Sequence, residues 1–121
     1  MTLHTELPIY KTGAALLSLA MDVQVQMPRA FKRSIGQRIH DHCIEMLDAM
    51  ALANASQRAE RQRYIEELLK LQRTVTVLLR VSFDRRMVSP KLWGTATQLL
   101  DSIGRQAGGW LKSARERAPA A

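Results

Sequence analysis

The chain has 121 residues, of which 46% are hydrophobic and 24% charged, a balance that supports one packed core and excludes global disorder. Lys and Arg total 18 against 11 acids, a formal charge of +7 with pI near 10.3, which favours a polyanionic partner. The single cysteine, Cys43, excludes an intrachain disulfide, and the longest apolar run, residues 13–21, falls far short of the roughly 20 residues of a membrane span.

The opening residues lack a basic stretch followed by an apolar one, so a cytoplasmic protein is expected. Residues 1–7 read as a short leader to a single domain spanning 1–121. Pro8 suits the first turn of a helix, where its missing N–H costs nothing. Behind it Ile9, Gly13, Leu16, Ala20, Val23 and Met27 recur at steps of three and four and share a face. Pro28 ends this helix because it cannot donate the i→i−4 bond.

A second helix is expected from about Ala30 to Asn54. Ile35, Ile39, Cys43, Met46, Met50 and Ala53 form its apolar stripe, with Arg38, Asp41, Glu45 and Asp48 opposite. Ser56 is the expected N-cap of the third helix, Gln57 to Arg86. Tyr64, Leu68, Leu71, Val75 and Leu78 form its seam, flanked by Ile65, Leu69, Gln72, Leu79 and Phe83. The β-branched run Thr74–Val77 also suits a strand, but the helical spacing continues through it from Tyr64. Ser89 and Pro90 open a fourth helix whose Leu92, Ala96, Leu99, Ile103, Ala107 and Trp110 face the core. Residues 115–121 are expected to fray. The fold class is all-α, an antiparallel up-down-up-down four-helix bundle.

Two histidines, a cysteine and three acids crowd residues 40–48, and they do not make a site. His40 and His42 lie about 200° apart around the helix, and a zinc pair at i, i+4 from His40 reaches Ile44. No Glu-x-x-His pair of the di-iron kind is present. Cys43 falls in the apolar stripe as a small hydrophobe. Asp41, Glu45 and Asp48 share one face, whereas hydrolytic carboxylates oppose one another across a cleft. With no phosphate-binding glycine loop or C-x-x-C pair either, no catalytic residue, metal or cofactor is assigned.

The cations carry the functional expectation. Topology places the start of the second helix at the same end as the joint between the third and fourth. Arg29, Lys32, Arg33, Arg85, Arg86 and Lys91 therefore gather at one pole, with Arg38 following and Arg73 and Arg80 along the third helix. Such a cluster would hold phosphates in a salt-dependent way. Ordinary solvated arginines are the competing explanation. Gly104, Gly108 and Gly109 each cost about 0.8–1 kcal/mol relative to alanine within a helix, which suggests close approach of a neighbouring backbone.

"MPRAFKRSIGQRI" (27–39) and "IGRQAGGWLKS" (103–113) resemble signatures of the accessory variability determinant proteins, small subunits of diversity-generating retroelements. They belong to a broader four-helix family related to proteins encoded by ribosomal intervening sequences. The resemblance runs from about Pro8 to Ser113. It rests on Met27, Pro28, Arg29, Lys32, Arg33, Gly36, Gln37 and Arg38, and on Gly108, Gly109 and Trp110. It implies a homopentameric barrel of four-helix protomers with no polymerase site of its own. The implied partners are a reverse transcriptase and its structured template RNA, with complementary DNA a further candidate, in support of mutagenic cDNA synthesis. The "HDHC" at 40–43 departs from the family pattern. The alternative is a structural bundle of the ribosomal-intervening-sequence type with no polymerase partner.

Overall fold

Pro8 occupies the first turn of α1 (Pro8–Gln26), preceded by a 3-10 turn at His4–Glu6 in a computed structural model that describes residues 3–117. Met27 and Pro28 are extended and end the helix. The chain then turns into α2 (Arg29–Phe31), a π-helical turn (Lys32–Gly36) and α3 (Gln37–Ala55), which together form the second rod. α4 (Arg58–Asp84) and α5 (Pro90–Arg117) complete the set. The β-branched run 74–77 is helical throughout.

The long helices pack in a ring, α1 on α3, α3 on α4, α4 on α5 and α5 back on α1. Between them lies one core that includes Leu16, Val23, Ile39, Met46, Met50, Ile65, Leu68, Val75, Leu79, Leu100 and Ile103. Contacts between the last two long helices run in opposite numerical order. Along α4 and α5, Glu66 meets Arg115, Gln72 meets Leu100 and Phe83 meets Trp93. Among the described residues every buried side-chain nitrogen and oxygen has a hydrogen-bond partner.

Several details of packing differ from the periodic reading. The deepest row of α4 is Ile65, Leu68, Val75, Leu79 and Ser82, while Tyr64 and Leu78 are only partly buried. α5 is likewise rotated: Leu100 and Leu111 are buried, whereas Leu92, Leu99 and Trp110 line the core margin. A stripe that covers two sides of a helix leaves its centre line undetermined by spacing alone. α5 stays helical to Arg117, three residues into the stretch expected to fray, and 118–121 lie outside the described residues.

The caps divide in the same way. Ser89 accepts a bond from the Leu92 N–H at 3.2 Å and starts α5, with Pro90 as its first residue. Ser56 does not cap α4. Its own N–H bonds back to the Ala53 carbonyl, and Gln57 holds the cap position without a side-chain bond.

The close helix approach falls at other glycines than those expected. A Cβ on Gly13 would lie 2.8 Å from Met50 Cε and 2.9 Å from Leu47 Cδ2; one on Gly36 would lie 3.1 Å from Gln24 and Met27. Gly104 faces Gln72, whose amide donates to the Leu100 carbonyl at 3.1 Å. Gly108 and Gly109 face open space within the chain and are exposed, so intrachain packing does not account for them.

Candidate functional site

The joint between α4 and α5 closes with two reverse bonds. Arg86 N–H donates to the Phe83 carbonyl at 2.9 Å and Met87 N–H to the Ser82 carbonyl at 2.9 Å. This is the Schellman arrangement, which calls for a left-handed residue just past the helix end, usually glycine. The residue here is Arg86, at φ 62°. A side chain in that conformation costs about 1–2 kcal/mol.

Arg85, Arg86 and Lys91 flank this joint. The Arg85 guanidinium lies 5.5 Å from the centre of the Phe31 ring and so brings the start of the second rod to the end of α4. Gln26, Phe83, Asp84, Arg86, Met87, Val88, Ser89 and Pro90 line a groove of about 700 Å³ beside it. Arg29, Arg85, Arg86 and Lys91 are exposed. None has a carboxylate within 4 Å among the described residues; the nearest acid in sequence, Asp84, is bonded to Arg80 at 3.1 and 3.2 Å.

The other cations named from sequence are placed differently. Lys32 is half-buried in the π-helical turn, and its carbonyl accepts a bond from Gln24. Arg33 and Arg38 line a shallow recess shared with Asp41, His42 and Glu45, so their field is partly offset. Arg73 is exposed and free of carboxylates among the described residues, but it stands 12 residues from Arg85, about 18 Å along the helix. Arg80 is ion-paired with Asp84 and lies 5.9 Å from the Trp93 ring, which stacks on Phe83 at 5.3 Å. Glu66 pairs with Arg115 on α5.

The histidine stretch forms the wall of a rod. His42 Nδ1 lies 2.9 Å from Glu45 and His40 Nδ1 lies 3.4 Å from Asp41. A bond from Gln37, and then one from His40, holds the Asp41 carboxyl below its ordinary value. Cys43 is buried, and desolvation pushes its thiol up to about 12, so thiolate chemistry is suppressed. No group of three or more His, Cys, Asp or Glu side chains among the described residues is placed to hold a metal ion, and no helix there is long and apolar enough to cross a membrane.

Sequence reasoning missed two features. Trp93 on α5 stacks on Phe83 of α4, a contact between helices that spacing within one helix does not show. Arg58 and Arg86, at opposite ends of α4, both have positive φ; the absence of glycine or asparagine at two tight joints was the available signal.

No family model, curated protein or solved structure matches the chain.

Proposed function

We propose that this protein is a non-catalytic four-helix scaffold that acts through its surface. Its plan is that of the structural bundles related to ribosomal intervening sequences, with the rods alternating in direction. The opposed contact order along α4 and α5 supports that alternation. The cations of the pole around Arg86 are the part of the surface that binds a polyanion.

One observation carries the reading. Of the nine cations named from the sequence, only Arg80 has a carboxylate within 4 Å among the described residues, and two of the others, Arg85 and Arg86, border the α4–α5 joint, where Arg85 reaches Phe31 at the start of the second rod. An arginine in a strained backbone position at that joint contributes less to folding than glycine would, which supports a surface role for it. Arginine suits phosphate through its planar, bidentate donors. Few aromatic faces are free to stack bases, which favours recognition of backbone charge over sequence.

The finer reading, suggested by the residue signatures, is an accessory subunit that holds a reverse transcriptase and its structured template RNA. Exposed Met21, Val25, Val77 and Val81 support self-association in that reading. Binding of a structured RNA to Arg29→Glu/Arg86→Glu, followed by fluorescence anisotropy across a salt series, tests the proposal. The expected result is weaker binding with a salt slope lower by about one per lost contact and an unchanged helical spectrum; unchanged affinity and slope reject it. Recovery of a reverse transcriptase with the native protein separates the finer reading from the bundle alone.

A further inference from the structure

At the far end of α4 from the basic pole, a recess of about 290 Å³ is lined by Gln57, Arg58, Arg61, Ala114 and Arg117. Three arginines line it, and no acidic side chain among the described residues does. Arg61 is fixed in place: its Nε donates to the Ala53 carbonyl at 2.9 Å and its Nη2 to the Asn54 carbonyl at 3.2 Å. Those bonds close the last turn of α3 and use two of five N–H donors, leaving three for another acceptor. Arg58 and Arg117 are exposed and have no carboxylate within 4 Å among the described residues.

The neighbouring acids are committed elsewhere. Glu60 is 3.9 Å from Arg63, and Glu66 is 3.3 Å from Arg115. Glu116 adjoins Arg117 in sequence, but successive helical residues do not face one another. Like charges set around a small recess attract an anion that bridges them.

We propose that this recess is a binding site for a phosphate or diphosphate group, held by Arg58, Arg61 and Arg117. The recess is large enough to admit such a group, and no aromatic ring among the described residues lines it to stack a base, so the phosphate itself is what is recognised. The group is either a free phosphate compound or the terminal phosphate of a polynucleotide. The site is distinct from the basic pole and does not depend on its role.

Calorimetric titration of the full chain with inorganic pyrophosphate at low ionic strength tests the site. Saturable binding is expected, weakened at least tenfold by Arg58→Gly and by Arg117→Ala and unaffected by Arg105→Ala. Glycine accepts the φ of 57° at position 58, so Arg58→Gly should melt no lower than the parent and its loss of binding is not a loss of fold. A 5′-phosphorylated oligonucleotide that binds more tightly than its 5′-hydroxyl counterpart, with the advantage erased by Arg58→Gly, identifies a polymer end as the source. Equal binding of the two oligonucleotides alongside saturable pyrophosphate binding identifies a free phosphate compound. No saturable pyrophosphate binding, or full-strength binding by both arginine variants, overturns the proposal.

Discussion

The guanidinium of Arg85 sits 5.5 Å from the centre of the Phe31 ring, joining the turn after Pro28 to the last residues before the α4–α5 joint. Phe31 is partly buried against the core, so the ring is a fixed platform for an exposed charge. Replacing Arg85 with alanine should cost about 0.5–1 kcal/mol, the worth of an exposed cation–π contact. Urea unfolding measures this, and an equal cost for Arg85→Ala in a Phe31→Leu background would show that the ring contributes nothing.

Arg86→Gly should make the chain more stable and a weaker ligand for polyanions. Relief of the positive φ is worth about 1 kcal/mol, or roughly 4 °C in Tm for a domain of this size. The same change removes one cation from the pole and lowers the salt slope of RNA binding by about one. Thermal melting and anisotropy on one preparation check both halves; a variant that melts lower contradicts the backbone argument.

Gly108→Ala and Gly109→Ala should each stabilise the isolated chain by about 0.8–1 kcal/mol, because the added methyl meets no atom of the same chain. Denaturant unfolding with sedimentation velocity reads both stability and assembly. A gain in stability with loss of higher oligomers would identify this face of α5 as a subunit contact. A loss of stability in the monomer would contradict the open space seen beside these residues.

Cys43 should resist alkylation in the folded protein. Its thiol is buried and raised to about 12, so at pH 8 almost no thiolate is present, whereas a free cysteine ionises near pH 8.5. Labelling by iodoacetamide should be at least a hundredfold slower in buffer than in denaturant. Comparable rates would show that the α3 stripe opens readily.

Much of this architecture was legible in the residues because helix punctuation is local. Pro8, Pro28 and the Ser89–Pro90 pair mark boundaries through their own backbone chemistry, and each stands where the sequence places it. What escaped depends on partners distant in the chain. The exact core line of α4 and α5 is set by neighbouring helices, so Leu79 and Leu100 displace Leu78 and Leu99. The Arg80–Asp84 pair, by contrast, is local: its four-residue spacing is legible in the sequence and the ion pair forms. The approach of the second rod's start to Arg85 followed from connectivity, but the left-handed backbone at Arg86 follows only from the reverse bonds to Phe83 and Ser82.

The wide turn at Lys32–Gly36 has one more effect. There the Gln37 N–H bonds back five residues to the Lys32 carbonyl as well as to Ser34, so the rod holds one residue more than a regular spiral would. Everything before it is dialled round by about 100° relative to the stripe that follows. Phe31, which meets Arg85, lies just before that offset, so counting in threes and fours across positions 32–36 does not carry the stripe of α3 back to Arg29.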